Sequence, residues 1–267
     1  MLYLITATKR GGAFFSDMLK SLKASAPNVR YTHVIVAQGD IQIPRDDAIC
    51  NFITLRDSGA GLYPALNRAL DYISGRPNCS CFSYINDDDG ILPGFWKNVA
   101  KHEATESDVT YGDVLYTNVK SESCGYASIC KNPRWLLALF QSGIPGITQQ
   151  GTIFSARIVR NGWRFNEQLR LAADSLFIVD LLISDASFNY AKNPVAFYRK
   201  RPGQLSDDHR GMIAEAFLVT DRAKSVEISS FRRNLVKGGF RLASAGKIIT
   251  RWRSSGFGST RAFFDKK

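Results

Sequence analysis

Strand-like and helix-like segments alternate through the first 118 residues, and this rhythm restricts the fold more than any other feature of the chain. "LYLITAT" (2–8), "YTHVIVA" (31–37), "AICNFITL" (48–55) and "CFSYI" (81–85) are short apolar runs rich in β-branched and aromatic residues. Between them, "FFSDMLKSLKAS" (14–25) and "YPALNRALDYISG" (63–75) carry apolar residues at helical spacing, the second closed by Gly75. "PGFWKNVAKHEA" (93–104) opens with proline, as helices do, and "DVTYGDVLYTN" (108–118) reads as a strand pair or one long strand. Apolar strands separated by helices predict an α/β fold, a mainly parallel sheet lying between helices. Further on, residues 125–151 are irregular, 166–185 read as a helix capped by Asn166, and "FNYAKNPVAFYRK" reads as a short strand. After Pro202 the pattern turns helical and basic.

A chain of 267 residues, 45% of them hydrophobic, suffices for one large domain with an extension. The longest uninterrupted apolar run, "WLLALF" (135–140), is far too short to span a bilayer. At the start, charges follow the apolar run instead of preceding it, so the reading is a buried first strand rather than a signal peptide, and a cytoplasmic protein. The five cysteines are spaced C-x-C and C-x5-C without a CxxC knuckle, which suits reduced buried thiols better than zinc or a disulfide framework. The net charge of +11 is uneven: residues 221–267 hold twelve Lys/Arg against three Asp/Glu, leaving about +2 for the first 220. The expected organisation is a near-neutral body, 1–220, and a basic helical extension, 221–267.

Three adjacent carboxylates close the strand at 81–85, in "YINDDDGILPG" (84–94). Such a triplet repels itself unless water, a cation or a positive group intervenes. In open α/β sheets ligands bind at the carboxyl ends of the strands, and hard oxygen donors with no His or Cys beside them suit Mg²⁺ or Mn²⁺ bridging to phosphates. The competing reading is a solvated acidic loop ahead of the helix at Pro93, where an acidic residue is favourable by ~1 kcal/mol.

Several blocks, in one order, favour the first reading. "SYINDDDGILPG" resembles the Asp-x-Asp region of GT-A glycosyltransferases of inverting family 2, where Asn-Ser-Asp-Asp is followed shortly by Pro-Gly. "RDSGAGLYPALNRALDYISG" (56–75) resembles that family's Asp-x-Gly…Tyr-Asp-Ala-Met-Asn-Lys stretch, with Asp57, Gly61, Tyr63, Ala65, Asn67 and Arg68 in step. "TYGDVLY" (110–116) looks like its Tyr-Gly-Asp strand. "QQGTIFSARIVRNGWRFNEQLRLAADSLFIVDLL" (149–182) looks like its His-Gln…Gly-x-Phe-(Asp/Asn)-Glu…Ala-Asp block. The resemblance covers most of residues 1–206.

The resemblance implies roles. Asp88 falls on the metal-binding position, with Asp89 a second candidate, and Asp87 falls on the ribose-facing one. Asp57, Asn67 and Arg68 lie in the nucleotide-sugar region, and Asp174 falls on the catalytic base. Arg199, Lys200 and Arg201, in "FYRKRPGQLSDDH" (197–209), resemble the loop that closes over the diphosphate, and His209 is a further candidate metal ligand. The chain departs from the family at "VAQGDIQ", where Gln38 or Asp40 must serve for the usual Asp, and at Gln149 and Pro64, which replace the usual His and Asp.

The implied function is inverting transfer of a sugar from a nucleotide sugar, a UDP-sugar first, with Mn²⁺ or Mg²⁺ as cofactor. The acceptor is a hydroxyl of a glycan or lipid-linked molecule in bacterial surface polysaccharide or lipopolysaccharide synthesis. The alternatives are a metal-dependent nucleotidyltransferase or related nucleotide-sugar enzyme, which needs a Gly-rich phosphate loop that "ATKRGGAF" (7–14) supplies only faintly, and a non-catalytic module of the same fold. The tail interleaves Phe231, Phe240, Trp252, Phe257, Phe263 and Phe264 with Arg and Lys. That mixture suits the anionic inner face of a cell membrane, or a partner enzyme, better than nucleic acid.

Overall fold

The computed structural model describes residues 1–255 except 10, 26–28 and 45–47, with side chains through residue 245. The first half is β1 (Leu2–Thr8), α1 (Ala13–Ser25), β2 (Tyr31–Ala37), β3 (Cys50–Arg56), α2 (Leu62–Ser74), β4 (Cys81–Tyr84), β5 (Gly90–Ile91), α3 (Pro93–Thr105) and β6 (Val109–Thr117). The second half is β7 (Ser123–Tyr126), α4 (Leu136–Phe140), β8 (Ile153–Ser155), α5 (Ala156–Arg160), α6 (Ala173–Ile183), β9 (Phe188–Arg199), α7 (His209–Ala223) and α8 (Ser230–Ser255).

The strands form one sheet in the order β3-β2-β1-β4-β8-β6-β9-β5, with β7 also on β6. β1 lies parallel to both β2 and β4, and β2 is parallel to β3. β8 is antiparallel to both β4 and β6, so β6 regains the direction of β4, and β9 runs parallel to β6. The carboxyl ends of β1, β2, β3, β4, β6 and β9 therefore share one edge, which positions the site. Every residue of β2 is buried, as a strand covered on both faces requires. Phe15, Met18 and Leu22 of α1, Leu66, Leu70 and Ile73 of α2, and Phe95, Trp96 and Val99 of α3 are buried in the core that covers the sheet.

Three readings change. Residues 125–151, read as irregular, contain the short helix α4. The segment 188–199 is a twelve-residue strand, not a short one. It tolerates Pro194 because its pairing with β6 slips in register on both sides of Asp113, where the proline's missing N–H leaves no gap in a regular ladder. The helix expected over 166–185 begins only at Ala173. Residues 166–172 are diverted by side chains: Asn166 Oδ1 accepts the N–H of Gln168, and Glu215 of α7 accepts those of Arg170, Leu171 and Ala172 at 2.7–2.9 Å.

β9 also explains the motif glycines. A Cβ on Gly94 would stand 2.1 Å from the Pro194 carbonyl oxygen, and one on Gly112 would stand 2.6 Å from Val195 Cγ1 and 2.7 Å from the Asn193 oxygen. Backbone meets backbone at Gly94, so no side-chain rotation relieves the contact. Gly94→Ala is expected to destabilise the fold by ~1–3 kcal/mol through overpacking, read as a fall of several degrees in the thermal midpoint. An unchanged midpoint would show that α3 does not lie this close to β9.

The basic segment is not wholly apart from the body. Residue 220 lies inside α7, and Val219, Ala223, Val236 and Phe240 are buried in the common core. Phe240 thus faces inward, unlike the exposed Phe231. The side chain of Trp252 and residues Phe257, Phe263 and Phe264 lie outside the described residues and side chains. Among the described residues no helix is long and apolar enough to cross a membrane.

Candidate functional site

The turn after β4 sends its three carboxylates to three different partners, which resolves their mutual repulsion. Asp87 Oδ2 accepts the Thr8 hydroxyl at 2.6 Å, at the end of β1. Asp88, nearly buried, accepts Arg201 Nε at 2.8 Å and Gln204 Nε2 at 3.1 Å on one oxygen. Asp89 is fully buried and accepts the Arg199 N–H, Asn86 Nδ2 and Gln150 Nε2 at 2.9–3.2 Å. Burial, reinforced by the Asp88 charge, pushes the Asp89 carboxyl up to about 8 against the pull of those donors. Asp87 is also raised, first by burial and then by Asp88, while the Thr8 bond opposes the rise.

Positive charge comes from the end of β9. Arg199 is 1% exposed, with a guanidinium nitrogen 3.5 Å from Asp17 of α1. The Arg199 and Arg201 guanidinium carbons lie 4.9 and 5.3 Å from the Phe14 ring, so both cations lean on the first turn of α1. Arg199 Nε and one of its terminal nitrogens have no hydrogen-bond partner among the described residues. That terminal nitrogen is the one 3.5 Å from Asp17, which offsets its charge, so Nε is the buried donor left open.

Gln204 organises the loop. Its Nε2 also donates to the Arg199 carbonyl at 2.8 Å, and its Oε1 accepts the Arg201 N–H and the Tyr198 hydroxyl. Lys200 turns aside, its Nζ 4.6 Å from the Tyr116 ring. His209 is exposed at the start of α7.

Asp57 ends β3 half-buried, its N–H on the Ala37 carbonyl at 2.7 Å and its Oδ1 accepting the Gly59 N–H at 3.1 Å. Gly59 packs on the Gln38 side chain, whereas Asp40 is exposed. Gln38 and Asp57 thus form a polar shelf at the ends of β2 and β3. Arg68 is exposed on α2. Asn67 is committed to holding the loop after Trp163: its Nδ2 donates to the Phe165 carbonyl and to Glu167, and its Oδ1 accepts the Phe165 N–H, all within 2.9 Å.

Asp174 sits half-buried in the first turn of α6, accepting the Ser175 N–H at 2.7 Å and the Tyr63 hydroxyl at 3.3 Å. Burial raises its pKa, with those bonds opposing and the Glu215 charge adding to the rise. Beneath it the rings of Tyr63 and Tyr84 stand 5.6 and 5.4 Å from Phe165. Tyr84 ends β4, three residues before Asp87, and burial with the Asp174 charge raises its pKa. Asp174 and the aspartate turn therefore share one end of β4. α7 holds the segment ahead of Asp174 twice: Glu215 accepts its backbone N–H groups, and Asp208, which caps α7, bonds Arg170. Thr8, Gln204 and Glu215 carried no signal in the sequence, since each is an ordinary polar residue until its remote partner is known.

The donors suit Mg²⁺ or Mn²⁺ in one mode only. Among the described residues no three His, Cys, Asp or Glu gather as a cage, and both oxygens of Asp89 are taken. Asp88 with Asp87 offers the one or two carboxylates that such ions use when phosphate and water complete the shell.

No protein-family model matches this sequence, and no curated protein does. Solved structures do. The chain superposes on TarS of S. aureus with TM-score 0.59 at 17% identity, over 91% of this chain and 43% of that one. A shorter TarS structure, in complex with UDP-GlcNAc, aligns with TM-score 0.59 at 15% identity over 92% and 72% of the two chains. A mannosyltransferase of Pyrobaculum calidifontis, in complex with GDP-Man and Mn²⁺, aligns with TM-score 0.57 at 12% identity over 95% and 73%. The fold is that of GT-A-type glycosyltransferases. The chain spans less than half of the longer TarS chain.

Proposed function

We propose that this protein is an inverting glycosyltransferase that moves a sugar from a nucleotide sugar, UDP-linked first, to a hydroxyl of a glycan or lipid-linked acceptor. The setting we propose is bacterial surface polysaccharide or lipopolysaccharide assembly. Residues 1–220 carry the site, and the basic extension 221–267 leans on them through α8. The observation that carries the reading is the juxtaposition of Asp87 and Asp88 with Arg201 at the carboxyl edge. It is supported by structural neighbours that bind UDP-GlcNAc, and GDP-Man with Mn²⁺.

Each residue then has a task. Gln38 and Asp57 receive the base, with Arg68 at the rim, and Asp87 takes the ribose. Asp88 anchors the metal, and a bound Mn²⁺ or Mg²⁺ supplies positive charge to the departing diphosphate. The Arg201 guanidinium, and with it Arg199, meets the same oxygens. Asp174 takes the acceptor's proton as its oxygen bonds to the anomeric carbon; the bond from that carbon to the diphosphate breaks on the opposite side, and the nucleoside diphosphate leaves. The loop tied by Gln204 keeps water out.

The test is a donor screen. Thermal shift with nucleoside diphosphates and Mn²⁺, followed by UDP release from UDP-sugars with a mixed acceptor pool, is expected to single out one nucleotide. No stabilisation by any nucleoside diphosphate would sink the reading.

A further inference from the structure

α8 is apolar on two opposite faces, and the body covers only one. At 100° per residue, Phe231, Leu235 and Leu242 fall within about 40° of one another, whereas Val236 and Phe240 lie about 120° and 160° from the centre of that stripe. The inward pair is buried at 2% and 7% exposure; the outward three are 78%, 62% and 80% exposed. Ile213 and Phe217 of α7, one turn apart, are 54% and 70% exposed. Arg232 and Arg241 fall on opposite flanks of the outward stripe, about 80° and 100° from its centre.

We propose that the outward face of α8 inserts into the headgroup region of an anionic phospholipid bilayer. Charge decides the occupant. A second copy would bring two segments together, each with an excess of nine positive charges between 221 and 267. Nucleic acid would satisfy the arginines and leave Phe231, Leu235 and Leu242 in water. An anionic bilayer satisfies both, as it does for helices that lie in the interface with an apolar face down and basic flanks. The inward residues Val236 and Phe240 fix α8 to the body, so docking would hold the whole domain at the surface. This goes beyond a basic tail attracted through space: it names an apolar contact that salt does not screen.

The full chain is sedimented with vesicles of phosphatidylglycerol and phosphatidylcholine, and with phosphatidylcholine alone. Wild type is expected to bind the anionic vesicles. Phe231→Ser/Leu235→Ser/Leu242→Ser is expected to lose ~10-fold or more of its partition while keeping its thermal midpoint, since these side chains are exposed. Arg232→Gln/Arg241→Gln is expected to lose roughly fivefold per charge and to flatten the salt dependence. Two results would overturn the proposal. One is a triple variant that binds like wild type. The other is a wild type that ignores vesicles but is dimeric by light scattering, with the triple variant monomeric; the face would then belong to a second copy. UDP affinity, expected unchanged in both variants, separates a failure here from a failure of the transferase reading.

Discussion

Asp174→Asn is expected to cut sugar transfer by ~10²–10⁴-fold, the usual loss when a general base is removed, while UDP affinity stays within twofold of wild type. The asparagine keeps the size and can still accept from Tyr63 and Ser175, the two groups that hold Asp174, but it cannot take a proton. The pH profile adds a second readout. Burial lifts the Asp174 carboxyl above its ordinary value, and a base works only when ionised. Wild-type activity is therefore expected to rise with pH through a value above the ordinary carboxylate range, and the variant should lack that limb. Calorimetry with UDP beside a product assay measures both. Transfer at near wild-type rate would move the base elsewhere, and lost UDP binding with an intact fold would assign Asp174 to the nucleotide.

Asp88→Ala is expected to lose binding and chemistry together. It removes the carboxylate proposed for the metal and the acceptor that holds Arg201 and Gln204. Disturbing the shell that holds a metal typically costs ~10–100-fold in metal affinity, and a loss of that order is expected in Mn²⁺-dependent UDP binding. Calorimetry of UDP with and without Mn²⁺ is expected to show that Mn²⁺ strengthens binding in wild type and does nothing in the variant. Equal affinities in all four titrations would remove Asp88 from the metal role. The thermal midpoint should hardly move, because Arg201, about a quarter exposed, can be solvated once released. The two variants together separate a group acting on the acceptor from one acting on the donor.

The strands of the first half were legible because period and chain direction are local properties. "YTHVIVA" reads as a doubly covered strand, and β2 is one. That the aspartates fall at a carboxyl edge followed from a strand preceding them in a parallel sheet. The glycines of "LPGFW" and "TYGDV" were visible as a pattern, but their reason was not: both face the backbone or side chains of β9, about a hundred residues away. The helix start was misplaced because Asn166 caps locally, whereas Glu215, more than forty residues on, takes the backbone donors that a helix would have used.

The sequence by itself determined the strands and helices of the first half, the edge of the sheet at which Asp57 and Asp87–Asp89 emerge, and the basic character of the final segment. Periodicity, turn residues and charge need no knowledge of distant partners. Only the tertiary structure decided what each of three adjacent carboxylates does: Asp87 meets Thr8, Asp88 meets Arg201 and Gln204, and Asp89 is enclosed by Arg199, Asn86 and Gln150. It likewise turned Asn67 to a buried loop, set the Arg199 guanidinium beside Asp17 and Phe14, and turned Phe240 inward while Phe231 faces outward. The physical reason is common to all of these. A polar or aromatic side chain takes its role from the partner that desolvates or bonds it, and here those partners lie up to 116 residues away along the chain.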